Sequence, residues 1–262
     1  MNYQYLTFTI EDRLATITLN RPKAGNTLNL EFSKELEDVT RLCQINKDIG
    51  AVLINANGPL FCGGGDLDYM VNGEDNVELA LKKLADSLHV GFASIARINV
   101  PVVAAVNGAA AGIGLSLALI ADITIASEKA VFVPAYTAIG VSPDGGLTHM
   151  LPRIIGKKRA QEMLLCNRKL SAQEAESWGM INQVTNPDEL ADVALKTASQ
   201  LAQGPTLALA SIKSLLNASS TQTMESQMHL EGIALAANSV TEDGQAGITA
   251  FLNKTKPEFK GR

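Results

Sequence analysis

Residues 100–127, VPVVAAVNGAAAGIGLSLALIADITIAS, narrow the possible folds of this chain more than any other stretch. The run is long and apolar enough to be weighed as a membrane span. Pro101, Asn107, Ser116 and Asp122 interrupt it, however, and its glycines break it in the middle. A strand (VVAAV), a glycine turn with a short buried helix (107–122) and a further strand (ITIAS) account for it better. The composition agrees: 46% hydrophobic and 19% charged residues leave room for a sizeable core in a chain of 262 residues.

The same alternation extends to both sides. Residues 13–19, RLATITL, read as a half-buried strand, and NRPKAGN after it reads as a loop. Leu30, Leu36, Val39 and Leu42 give residues 30–47 helical spacing, and AVLIN at 51–55 reads as a second strand. Leu81, Leu84, Leu88, Phe92 and Ile95 predict a helix over 76–97 that Pro101 closes off. Short strands follow at ITIAS and AVFV, then helices at 145–166, 171–177, 188–202, 205–218 and 222–239. A recurring β-β-α grouping with a helical last third predicts an α/β fold, with residues 1–200 as the core and 201–262 as a helical C-terminal region.

The formal net charge of −5 gives no general attraction to nucleic acid or to anionic membrane. An anionic ligand must therefore be held by local groups. Cys43, Cys62 and Cys166 are odd in number and widely spaced, which suggests neither a disulfide framework nor a zinc site; buried or half-buried thiols are expected. The N-terminal MNYQYLTFTIEDR has no basic patch followed by an apolar run and does not read as a signal peptide, so a cytoplasmic protein is expected.

Three segments carry chemistry. FCGGGDL, 61–67, places three consecutive glycines after a strand. Such a run costs stability, and is explained if the backbone must approach something closely or point its amides outward; a plain flexible turn is the other reading. NGAAAGIGLSLALIAD, 107–122, takes a strand through small residues into a helix whose first turn offers free amide donors. Gly112-Ile113-Gly114 lacks the third glycine and the later acidic residue of a dinucleotide fingerprint. In the third segment, 132–160, Asp144 sits between Pro143 and Gly145-Gly146 at a helix start, where it is either a helix cap or a functional carboxylate.

In this order and separation the three segments resemble the enoyl-CoA hydratase/isomerase (crotonase) family. NRPKAGNTLN at 20–29 is similar to its acyl-CoA-binding loop, FCGGGDL to its first oxyanion loop and NGAAAGIG to its second. KLSAQEAESWGMINQV at 169–184 and AGITAFLNKTKPEF at 246–259 are similar to its later landmarks, so the resemblance spans essentially the whole chain. It implies a spiral of β-β-α turns that assembles as a trimer or a dimer of trimers, with 201–262 as the trimerisation region. It implies that the backbone N–H groups of Gly65 and Ile113 grip a thioester oxygen. Two preorganised donors of this kind stabilise charge as it develops, and losing one costs about 3–4 kcal/mol. Lys23 and Ala24 would lie beside the nucleotide end of coenzyme A, and Gly63, Asp66, Leu67 and Gly112 would belong to the substrate site. Lys254 is either a phosphate contact or a solvated surface lysine. No metal or redox cofactor is implied, since coenzyme A arrives within the acyl-CoA substrate.

The likeness to the hydratases stops at their paired glutamates. The matching positions are Ser116 and Tyr136, and neither can act as a carboxylate. What remains is Asp144, similar to the single acid of the isomerase branch, epoxyphenylacetyl-CoA and enoyl-CoA isomerases included. One carboxylate can take a proton from one carbon and return it to another. Three alternatives stay open. One is a hydratase with an atypical site. Another is an aryl-CoA dehalogenase-like hydrolase with Asp144 as nucleophile, His89 as the matching histidine, and Tyr136 where that group has tryptophan. The last is a non-catalytic binding or assembly protein, although the first helix, KELEDVTRLCQINKD, lacks the lysine cluster that RNA binding needs. His89 also reads as a polar residue flanking the apolar stripe of its helix, His149 as structural, Trp178 as core, and Lys157-Lys158-Arg159 as a solvated face.

Overall fold

A tight hairpin starts the chain in the computed structural model, which describes residues 3–72 and 76–262. β1 (Leu6–Glu11) and β2 (Leu14–Leu19) pair antiparallel through Asp12 and Arg13, both at positive φ as a two-residue hairpin turn requires. A 3-10 turn at Pro22–Ala24 leads to α1 (Leu30–Ile45), which starts where the Asn29 side chain accepts from the Phe32 N–H at 2.9 Å. β3 (Ala51–Ala56) returns parallel to β2. After α2 (Leu67–Asn72) comes the long α3 (Val77–Arg97), capped by Asn76 and burying Leu84, Leu88, Phe92 and Ile95 on one face.

The apolar stretch then resolves as the sequence predicts. β4 (Val102–Val106) is buried throughout, β5 (Ala110–Ala111) is short, and all seven residues of α4 (Ile113–Leu119) are buried before β6 (Ile123–Ser127) begins. Among the described residues no helix is long and apolar enough to cross a membrane. β7 (Val131–Val133) and a 3-10 turn at Tyr136–Ile139 precede α5 (Leu147–Ile155) and α6 (Lys157–Leu165). The single helix expected over 145–166 is thus two, broken at Gly156, whose φ of 81° ends the first. β8 (Leu170–Ser171), α7 (Ala172–Ser177), β9 (Gln183–Thr185) and α8 (Leu190–Ala202) complete the core. The chain continues through α9 (Thr206–Ser219), α10 (Met224–Ser239) and α11 (Glu242–Asn253).

Two sheets result. The larger has the order β1-β2-β3-β4-β6-β9, parallel except for the opening hairpin, and the smaller has the order β5-β7-β8. The middle turns of the chain each give one strand to the large sheet, one to the small sheet, and then a helix: β4-β5-α4, then β6-β7-α5. This is the β-β-α spiral that the sequence resemblance implies. Alternation along the central strands divides the apolar residues between two cores. Val52, Ile54, Val102 and Val106 face the main core with α1, α3 and α4, while Ala51, Leu53, Val103 and Ala105 face α8 through its small stripe Ala194, Ala198 and Ala202.

Some expectations need correction. Cys43 and Cys62 are buried, but Cys166 is exposed just past the end of α6. Trp178 is half-buried rather than a core residue, with the guanidinium groups of Arg159 and Arg168 5.0 and 4.8 Å from its ring centre. Lys157, Lys158 and Arg159 are exposed, as expected of a solvated face.

Candidate active site

The glycine loop after β3 behaves as an extra strand of the small sheet. Cys62 donates its N–H to Ala109 at 3.1 Å and accepts from Ala111 at 2.9 Å, while Leu28 bonds to Gly64 and Asp66 on the other side. Because Leu28 uses the carbonyl of residue 64 and the amide of residue 66, the Gly65 N–H points the other way. Among the described residues that amide has no partner, nor has the amide of Ile113, the first residue of α4.

The glycines are what let these two loops meet. A Cβ on Gly114 would lie 2.5 Å from the carbonyl oxygen of Cys62, closer than real contacts allow. Gly64 and Gly112 sit at φ of +105° and +53°, conformations that L side chains rarely adopt, and a Cβ on Gly64 would press the Ala111 carbonyl at 3.1 Å. Both loops open onto one cavity of about 550 Å³, whose walls include Gly63, Gly65, Ile113, Tyr136 and Asp144. Its apolar side comes from α3 through Leu81, Leu84 and Leu88, and from Ile139 and Val141 across from them in sequence. That size and lining suit a small molecule with an apolar portion.

Asp144 is half-buried and held by its neighbours. The Tyr136 hydroxyl donates to Asp144 Oδ1 at 2.7 Å, and His89 Nε2 lies 3.6 Å from Oδ2. Ser116 is fully buried behind it and donates its hydroxyl to the Asp144 backbone carbonyl at 3.1 Å. The phenol of Tyr136 is pushed well above its ordinary range, chiefly by burial and then by the charge of Asp144 and the hydrogen bond to it. Tyr136 is therefore a fixed donor and not a base. Glu78 also lines the cavity, but it is exposed in the first turn of α3.

The residues singled out in the sequence fall into two groups. Gly63, Gly65, Leu67, Gly112, Ile113, Tyr136 and Asp144 line the cavity. Ser116 and His89 reach Asp144 and its loop from outside the lining. Lys23 and Ala24 are exposed on the 3-10 turn and do not line the cavity, although the next residue, Gly25, accepts the Gly63 N–H at 2.8 Å. Asp66 spends one oxygen on Arg21 at 3.0 Å and the other on the Tyr69 N–H at 3.3 Å, at the start of α2. His149 and Lys254 are exposed and line no part of the cavity.

Sequence reasoning missed the residue that ties these loops together. Asn26 is fully buried. Its side chain accepts from the Arg21 N–H at 2.8 Å and donates to the carbonyls of Asn57 and Leu60, both at 2.9 Å, and its own carbonyl accepts from the Cys62 thiol. It sits at a positive φ of 54°, which asparagine tolerates better than most residues, so the Gly25-Asn26 pair in a loop was the one signal available in the sequence.

Comparison with known proteins agrees with this architecture. The sequence matches the enoyl-CoA hydratase/isomerase family over residues 9–262. It is 35% identical to 1,2-epoxyphenylacetyl-CoA isomerase of Escherichia coli K12, covering 97% of both chains. It is 33% identical to 2,3-dehydroadipyl-CoA hydratase of the same organism, covering 96% of this chain and 97% of that one. The crystal structure of an enoyl-CoA hydratase from Polaromonas sp. JS666 superposes with a TM-score of 0.92 at 34% identity, covering 97% of this chain and 99% of the other. The fold is that of a crotonase-type enzyme. The chain belongs to the enoyl-CoA hydratase/isomerase family.

Proposed function

We propose that the protein is an acyl-CoA isomerase in which Asp144 is the single proton shuttle. The observation that carries this reading is the state of the cavity wall. Asp144 stands there with Oδ1 occupied by Tyr136, while the two positions that the sequence resemblance gives to the hydratases' paired glutamates hold Tyr136 in the wall and Ser116 outside it, neither a carboxylate. In the reaction, Asp144 Oδ2 takes a proton from a carbon next to the thioester or conjugated with it. The electron pair moves onto the thioester oxygen, where the N–H groups of Gly65 and Ile113 stabilise the enolate. Asp144 then returns the proton to a different carbon, so that no atom is gained or lost. The relationship to 1,2-epoxyphenylacetyl-CoA isomerase supports this reading. Coenzyme A enters only as part of the substrate, and no other cofactor is called for. Residues 201–262 serve as the region through which three copies, or two sets of three, associate.

A panel of unsaturated aliphatic, aryl-acetyl epoxide and halobenzoyl thioesters, incubated in deuterated water enriched in heavy oxygen, tests the assignment by mass spectrometry. Deuterium uptake or a double-bond shift without heavy oxygen in the product is expected. Asp144→Asn should lower turnover by about 10²–10⁴-fold, the range for losing a general acid–base group, while acyl-CoA binding persists. Wild-type turnover in Asp144→Asn would overturn the role of Asp144.

One observation favours a second reading. The 3.6 Å separation of His89 Nε2 and Asp144 Oδ2 brings together the pair that a hydrolase with an aspartate nucleophile would use, although His89 would first have to release the Gly145 N–H that it accepts at 3.0 Å. In that case heavy oxygen enters the protein or product, and a halobenzoyl thioester releases halide.

A further inference from the structure

We infer that His89 is a positioning residue for Asp144 that works as a neutral hydrogen-bond acceptor and carries no proton in the reaction. The inference rests on Asp144 being the working carboxylate. His89 follows Leu88, a wall residue of the cavity on α3, and its ring reaches the loop between the 3-10 turn and α5. There the Gly145 N–H donates to His89 Nε2 at 3.0 Å. An amide hydrogen must meet a lone pair. A ring protonated on Nε2 would set two N–H groups against each other, so the proton resides on Nδ1 and the ring is uncharged. Asp144 Oδ2 is 3.6 Å from the same nitrogen, too far for a hydrogen bond to compete.

The position of this contact matters more than its strength. The Gly145 N–H and the Asp144 carbonyl belong to one peptide group. Its carbonyl accepts from the Ser116 hydroxyl at 3.1 Å and from the Leu147 N–H at 3.2 Å, and its amide donates to His89, so that His89 is the one partner on the amide side. One peptide is thus gripped at both ends, by α4 on one side and α3 on the other. It needs this grip because Gly145 and Gly146 sit at φ of +61° and +78° and carry no side chains that would fix the plane by sterics. The orientation of that peptide sets the backbone of Asp144 and hence the direction of its carboxylate. Tyr136 holds Oδ1, and the peptide grip aims Oδ2. A histidine whose lone pair is committed in this way cannot also activate a water.

His89→Leu removes the acceptor, while His89→Gln offers a carbonyl oxygen at similar reach. In His89→Leu, kcat should fall by about 10–100-fold with KM changed by no more than about twofold, as expected when a reacting group is misaimed while the substrate is still bound normally. His89→Gln should recover kcat to within about threefold of the wild type, because a neutral acceptor is again present. Equal loss in both variants would show that His89 transfers a proton, and unchanged kcat in His89→Leu would show that it positions nothing; either result overturns the inference. Asp144→Asn run alongside separates the two claims, since turnover surviving in that variant counts against the role of Asp144 instead. Nitrogen-15 spectra of histidine-labelled enzyme, assigned by the signal missing in His89→Gln, should show His89 protonated on Nδ1 near neutral pH. An imidazolium, or a proton on Nε2, would overturn the inference independently of activity.

Discussion

Tyr136 and the buried thiols share a property that solution experiments can read. Burial pushes Cys43 and Cys62 from an ordinary 9.0 up to about 12, and burial with the Asp144 charge raises Tyr136 above its ordinary 10.0. In each case the folded chain holds a proton that the unfolded chain releases, so the stability from these groups is complete below about pH 9 and declines as pH rises toward the folded values. Denaturant midpoints measured from pH 8 to 11 should therefore fall steadily above pH 9. Cys43→Ala, compared with its own value at pH 8, should fall less steeply; an unchanged slope would show that its thiol does not contribute. At this scale the sequence was legible only where the signal is local. Pro143-Asp144-Gly145-Gly146 announces a carboxylate at a helix start within four residues. The contact of His89 with Gly145 spans 56 positions, and that of Ser116 with Asp144 spans 28, and no local pattern encodes either. His89 and Ser116 entered through family resemblance alone, which gave their positions but not their hydrogen bonds.

Among the elements, the strands and helices with a strongly apolar face are legible in the sequence, and those without one are not. β1 escapes notice because it is an edge strand with one buried residue, so it lacks the alternation of a half-buried strand. α11 stands out only as a motif segment and α2 reads as part of the loop after β3; α2 is a single short helix and α11 buries just Asp243 and Ala250. The break at Gly156 is hidden because apolar spacing continues through Leu151, Ile155, Ala160 and Met163 on both sides of it. The loop elements depend on Asn26 in a way that can be measured. Asn26→Ala removes the acceptor of the Arg21 N–H and the donors to Asn57 and Leu60. Asn26 is fully buried, but of its partners Arg21 and Leu60 are half-buried and Asn57 is exposed to water, so the loss should be about 1–3 kcal/mol of unfolding free energy, readable by urea denaturation. A loss under about 0.5 kcal/mol would mean that water or neighbouring groups replace the amide.

On the scale of the whole molecule, the proposed association through residues 201–262 matches a surface that a lone chain leaves open. α10 has no buried residue, and Leu216, Leu235, Phe251 and Leu252 on α9, α10 and α11 are between 67% and 84% exposed. Scattered exposed apolar residues are ordinary, but three successive helices carrying them make an interface the economical explanation. Light scattering should give three or six times the 27.8 kDa of one chain, and Phe251→Glu combined with Leu252→Glu should shift that mass downward. A single-chain mass for the unaltered protein would set the trimer aside. The cavity has an organisation of its own. The two glycine loops are joined by one ladder, with Cys62 bonded to both Ala109 and Ala111, so the spacing of the Gly65 and Ile113 amides is fixed by the small sheet. The apolar wall belongs to other elements, α3 and the segment holding Ile139 and Val141. Under the proposed function, the two amides that hold the thioester oxygen are set by the small sheet, so side chains at positions 81, 84 and 141 can be exchanged to fit a longer, branched or flatter acyl group without moving them, whereas Leu88 and Ile139 share their elements with His89 and Tyr136 and tie acyl fit to the aim of Asp144.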